Sequence, residues 1–129
     1  MKGIFAIAAL AALAVSPVYA ACTSPGDPPT VPDGNTASAQ DILKTQQNVL
    51  TFQTSTSSFL TCIKKAHDDA LAAAGPGISS ADADKIDGTE SKQHNAAVHQ
   101  LNDVVNRFNQ SVAAFKAKQA AGQKKPAKG

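Results

Sequence analysis

The triplet Gly75-Pro76-Gly77 restricts the fold most, because it stops a helix between two long stretches of helical spacing. Before the triplet, small and apolar residues recur every seven positions in two interleaved series: Ile42, Val49, Thr56, Ile63 and Ala70, and Thr45, Phe52, Phe59, Ala66 and Ala73. A heptad stripe of this length is typical of a packed helix. Two helices of similar length joined by a short turn form an antiparallel hairpin. The sequence therefore predicts an all-α fold, a long two-helix hairpin domain over 38–119 with helices over about 38–74 and 80–119.

The start of each predicted helix carries a capping signal. Ser38 is followed three residues later by Asp41, which resembles a capping box. The second helix is predicted to begin at Ser79 or Ser80, with Asp82 in its first turn. A negative charge at that position interacts favourably with the helix dipole.

The second helix is predicted from an apolar stripe of its own. Its members are His94, Val98, Leu101, Val105, Phe108, Val112 and Phe115. The Asp87-Gly88 pair interrupts the segment, so the helix either runs through it or begins at Thr89. We expect the helix to end near Gln119 and to be followed by a basic, disordered tail over 120–129.

Residues 21–37 form a predicted N-terminal arm. Its prolines are Pro25, Pro28, Pro29 and Pro32. They favour an extended, polyproline-like chain, which is either a stiff structural arm or a Pro-x-x-P ligand of an aromatic groove. The fifteen residues 23–37 can reach about 46 Å at about 3.1 Å per residue, and the helix from Ser38 to Cys62 measures about 36 Å. The arm can therefore fold back along the first helix and bring Cys22 to Cys62.

Residues 1–20 have the pattern of an export signal. A positive start and an apolar run over 4–15 precede Val18-Tyr19-Ala20, a small-x-small site for signal peptidase. The run is shorter than the roughly 20 residues that cross a bilayer, so we expect no transmembrane span in the mature form. Cleavage after this site gives a periplasmic or secreted protein. The overlapping Tyr19-Ala20-Ala21-Cys22 also resembles a lipobox, which would anchor the chain through a lipid on Cys22.

The mature chain contains one pair of cysteines, Cys22 and Cys62. Exported proteins fold in an oxidising compartment, which favours a disulfide between them. Closing a loop of about 40 residues stabilises a fold by roughly 3.5–4 kcal/mol on the chain-entropy model. Two free thiols and an intermolecular bridge are the alternatives. We predict an intramolecular disulfide that clamps the arm.

The charge distribution bears on the kind of partner. A net charge of +2 gives no indication of nucleic-acid binding. Lysines concentrate near the C-terminus, at Lys116, Lys118, Lys124, Lys125 and Lys128. They form either a contact site for an anionic envelope surface, such as lipid headgroups, or a solvated chain end.

The sequence indicates no catalytic, metal or cofactor site. His94 and His99 are five residues apart, whereas ligands on one helix face need a spacing of three or four. The acidic run over 82–88 resembles a calcium loop, but Ile86 occupies its fifth position, where an oxygen ligand is required. We therefore expect a protein that is not an enzyme.

Four short motifs stand out along the mature chain. They are Cys22, the Pro-Asp-Gly-x-Thr-Ala-Ser run at 32–38, Phe59-Leu60-x-Cys62, and Arg107-Phe108-Asn109. Together they resemble small exported helical proteins of Gram-negative bacteria, a group without an established activity, over most of residues 22–117. The resemblance implies an envelope location and the same cysteine pair, and it supplies no catalytic residue. The chain departs from that group around Asp87-Gly88-Thr89.

These patterns favour a non-enzymatic structural or interaction protein of the envelope. We expect it to form a homodimer, a four-helix bundle, through leucines that lie off the main stripe, or to bind another envelope protein. These leucines are Leu43, Leu50, Leu60 and Leu71. The alternative is a helical, chaperone-like binder of unfolded chains or of anionic envelope components.

Overall fold

The computed structural model describes residues 21–124, which form two helices and an N-terminal arm. Helix α1 spans Ala39–Ala74 and helix α2 spans Ser80–Gln123, with no strand in the described range. The helices pack against each other across the short turn. The predicted all-α hairpin is confirmed. The predicted export signal over 1–20 lies outside the described residues.

Both predicted helix starts are confirmed. The Ser38 hydroxyl accepts a hydrogen bond from the Asp41 backbone N–H at 3.1 Å, and the Asp41 carboxylate accepts one from the Ser38 N–H at 2.9 Å. The Ser38 hydroxyl also donates to the Asp41 carboxylate at 2.6 Å, and this bond, together with the one from the Ser38 N–H, lowers the pKa of Asp41. At α2, the Ser79 hydroxyl accepts from the Asp82 N–H at 3.2 Å. Gly75 ends α1 with a φ of 74°, which only glycine adopts without strain.

The heptad stripe of α1 is largely confirmed. Its buried residues are Ile42, Thr45, Val49, Phe52, Thr56, Ile63 and Ala66, all of them predicted core positions. Phe59 and Ala70 are half-buried. Ala73 is exposed, since it lies in the last turn of α1 beside the hairpin turn.

The predicted stripe of α2 is displaced by about one helix position. His94 is exposed, and the buried residues are Ala97, Val104 and Ser111. The apolar residues predicted for this stripe, from Val98 to Phe115, are half-buried along its edges. The difference arises because the buried line of α2 contains small and polar residues, which a search for large apolar side chains passes over.

Helix α2 is continuous through Gly88 and extends further than predicted. It ends at Gln123, four residues beyond the expected end at Gln119. The first residues of the expected basic tail are thus helical, and residues 125–129 lie outside the described range.

The arm packs over the groove between the two helices. Cys22 is bonded to Cys62, with the Cα atoms 5.7 Å apart, which confirms the predicted disulfide. Val31, further along the arm, packs against a buried cluster of Val49, Phe52 and Val104. The arm therefore runs antiparallel to α1 and covers the open half of the hairpin core.

Candidate interaction site

The arm is fixed at its C-terminal end by a compact turn. The Asp33 carboxylate accepts hydrogen bonds from the backbone N–H and side-chain amide of Asn35, at 2.9 and 3.0 Å. The Asp33 carbonyl accepts the backbone N–H groups of Thr36 and Ala37 at 3.1 and 2.9 Å. This is the turn chemistry that aspartate favours. It redirects the chain from the arm into the cap of α1 at Ser38.

The same turn is in close contact with α2. The buried Ser111 hydroxyl donates a 2.6 Å hydrogen bond to the Pro32 carbonyl. Gly34 lies so close to the backbone of α2 that a Cβ atom there would be 1.8 Å from the Ser111 carbonyl oxygen. Only glycine fits at this distance. The run at 32–38 thus joins the arm, α1 and α2 at one corner of the molecule.

The lysines of the predicted anionic contact site have different surroundings in the structure. The Lys118 ammonium donates to the Ala37 carbonyl at 2.9 Å and lies 5.4 Å from the centre of the Phe115 ring. Its charge is thus directed onto the arm corner. Lys116 and Lys124 are exposed. Lys125 and Lys128 lie outside the described residues, and an anionic contact by this set remains a prediction.

An open cleft lies beside the corner. It has a volume of about 430 Å³ between residues 31–35 and α2. Arg107, at its edge, donates to the Asp103 carboxylate at 3.0 Å. The charge of Arg107 is therefore already paired on its own helix.

One histidine links the two helices. His67 Nε2 lies 2.7 Å from a carboxylate oxygen of Asp87 on α2, and its Nδ1 lies 3.1 Å from Asp68. The hydrogen bond to Asp87, reinforced by the one to Asp68, raises the pKa of His67. His67 in turn lowers the pKa of Asp68, together with Lys64. When it is protonated, His67 therefore forms an ion pair between the two helices near the hairpin turn.

The other histidines have no comparable arrangement. His94 and His99 are both exposed on α2. Among residues 21–124, no group of three or more histidine, cysteine or acidic side chains is placed to hold a metal ion.

The back of α1, the side away from α2 and the arm, carries no charge over a long distance. Residues 45–63 contain no charged side chain. Seven exposed residues spaced alternately three and four apart form what we call the back stripe: Gln40, Leu43, Gln47, Leu50, Thr54, Ser57 and Thr61. Such a series lies on one face of a helix. Leu43 and Leu50 are 61% and 53% exposed and are the large hydrophobic residues left uncovered in the described range.

Threonine hydroxyls along α1 are turned back onto the helix. Thr54 donates to the Leu50 carbonyl at 3.0 Å and Thr61 donates to the Ser57 carbonyl at 3.0 Å. Their donors are therefore already used within the helix. The back stripe can be covered by another surface without leaving these hydroxyl protons unpaired.

The four leucines predicted for dimerisation differ in exposure. Leu60 and Leu71 are half-buried, whereas Leu43 and Leu50 are exposed. The sequence pattern missed the back stripe because most of its members are polar. Its alternating spacing and the absence of charge over 45–63 are the signals that identify it.

Comparison with known proteins adds no relative: no protein-family model, curated protein or solved structure matches this chain. Neither helix of the described chain has a stretch long and apolar enough to cross a membrane.

Proposed function

We propose that this chain is an exported, non-enzymatic interaction protein of the bacterial envelope that binds a protein partner through the back stripe. The exposure of Leu43 and Leu50 on a charge-free helix face carries the proposal. The buried centre of a protein interface is depleted in charged residues. Both ends of α1 carry charges, as at Lys44 and at the Lys64–Asp68 pair, so the neutral stretch is bounded in length.

The disulfide supports the exported location. Disulfides persist in the periplasm and outside the cell and are rare in the cytosol. The Cys22 sulfur is bonded to Cys62, and a lipid thioether would require that same sulfur. We therefore favour cleavage after Ala20 and a protein without a lipid anchor.

In-cell photocrosslinking tests the interaction surface. A benzophenone amino acid at Gln47, in the back stripe, should give a discrete crosslinked species. The same group at Asn102, exposed on α2, is the matched control and should give none. No adduct from position 47, or equal adducts from both positions, would refute the proposal. A ladder of adducts with many proteins would favour the chaperone-like alternative.

The exported form is tested by intact mass spectrometry of the periplasmic fraction without reductant. We expect a mass that begins at Ala21, lacks lipid and is lower by two hydrogens for the disulfide. A mass that retains residues 1–20, or one that includes acyl chains, would contradict the proposed location and processing.

A further inference from the structure

We propose that the partner on the back stripe is a second copy of this chain, whose α1 packs antiparallel about a two-fold axis that crosses the stripe at the level of residue 52, between Leu50 and Thr54. This inference rests on the proposed function and names the partner for the same surface. It differs from the predicted four-helix bundle because Leu60 and Leu71 take no part.

The back stripe is complementary to itself in size when it is reversed. About a two-fold axis at position 52, Leu43 faces Thr61 of the second copy, Gln47 faces Ser57, and Leu50 faces Thr54. Large side chains thus meet small ones at each level, as in a packed helix interface. A parallel pairing would instead place each leucine against itself and leave the small residues opposite one another.

The extent of the neutral surface matches this register. The next residue in the stripe's spacing after Thr61 is Lys64, the first charged member. In the antiparallel register Lys64 faces Gln40 of the second copy, one residue inside the start of its α1 at Ala39. The whole uncharged part of the stripe is therefore covered by the partner helix, and Lys64 lies at the end of the contact.

The arm leaves the back stripe open. A shallow cleft where the arm meets α1 is lined by Thr30 and Pro32 and, on the helix, by Asp41, Lys44, Thr45 and Asn48. None of those helix residues belongs to the back stripe. Two copies can therefore pair while each arm stays in its own groove.

The contact between the two copies is small. The overlap from Gln40 to Lys64 is about 36 Å of helix. A single helix pair covers less than the roughly 800 Å² per partner of a standard interface. We therefore expect a weak dimer whose population depends on concentration.

Sedimentation equilibrium of the purified, disulfide-bonded protein from micromolar to millimolar concentration tests the dimer. The wild-type mass should rise towards twice the monomer mass. Leu43→Glu with Leu50→Glu should weaken association about tenfold or more, because unpaired charges would be buried. Asn102→Glu with Asn109→Glu, the same spacing on exposed α2 positions, should leave it unchanged. Circular dichroism checks that both double variants fold.

The register is tested by a charge exchange. Gln47→Lys combined with Ser57→Glu places opposite charges across the proposed axis, so this double variant should associate at least as tightly as wild type. Tighter association of wild type than of the double variant would overturn the antiparallel register. A wild-type monomer at every concentration would overturn the homodimer. In that case, a crosslink from position 47 to a protein of another mass would still leave the interaction surface standing.

Discussion

Gly34 is the residue at which the arm comes closest to α2. A methyl group there would collide with the Ser111 carbonyl and lie 2.8 Å from the Phe115 nitrogen, and both atoms belong to helix backbone. Because a helix backbone cannot give way, we expect Gly34→Ala to destabilise the protein by about 1–3 kcal/mol. Urea denaturation measures this loss. An unchanged midpoint would mean that the corner is not packed as described.

Gly88 provides the matched control and a prediction of its own. It lies inside α2, and nothing is within 4 Å of the place where its Cβ would be. Glycine inside a helix costs roughly 0.5–1 kcal/mol relative to alanine. Gly88→Ala should therefore raise the urea midpoint, in the direction opposite to Gly34→Ala. A loss of stability would show that α2 is not a regular helix through this position.

His67 makes the stability of the protein depend on pH. Its pKa in the folded state is raised above 6.5 by Asp87 and Asp68, so the stabilisation is complete below about pH 6.5. This stabilisation is lost as the pH rises through the pKa of His67 in the folded state. We expect the melting temperature to fall across this range in the wild type and to change less in His67→Gln. A fall of equal size in the variant would rule out His67 as its source. His94→Gln is the control, since His94 is exposed elsewhere on α2.

At the scale of elements, α1 could be predicted from sequence almost completely. Its large core residues are apolar and spaced by heptads, its cap has a recognisable chemistry, and Gly75 stops it. The disulfide was also predictable, because the extended arm is long enough to span the distance from Ser38 to Cys62 and no other pairing exists within one mature chain.

The face of α2 and the candidate site were less accessible to sequence reasoning. Ser111 is buried because the arm backbone passes over it, a contact between residues far apart in sequence. The residues next to Ser111 in the sequence do not predict that contact. The back stripe was missed for a related reason, since its polar residues give no apolar pattern although its leucines were noticed individually.

The arm and its disulfide form an element whose contribution to stability can be isolated. Cys22 and Cys62 are 40 residues apart, for which the chain-entropy model gives roughly 4 kcal/mol. We expect Cys22→Ser with Cys62→Ser to lose stability of that order while its circular dichroism stays helical, because the hairpin core remains. Limited proteolysis should cut the variant within 23–30 before it cuts either helix. Unchanged stability and protection would contradict a clamping role.

At the scale of the whole molecule, the hairpin has a closed side and an open side. The arm covers the groove between the helices and is fastened by Cys62, Ser111 and Lys118. The back of α1 carries no such cover, and its leucines remain exposed. The arm completes the core that a two-helix hairpin cannot bury alone, which leaves the back stripe as the surface that we propose for a partner.

Concentration-dependent NMR of the unmodified protein tests most directly the claim that two copies of the chain pair through the back stripe. As the sample is concentrated, we predict that amide resonances of Leu43, Gln47, Leu50 and Thr54 shift together. Those of Asn102 and Asn109 on α2 should stay in place. Shifts that cluster on α2 or on the arm, or an absence of shifts at every concentration, would contradict the account.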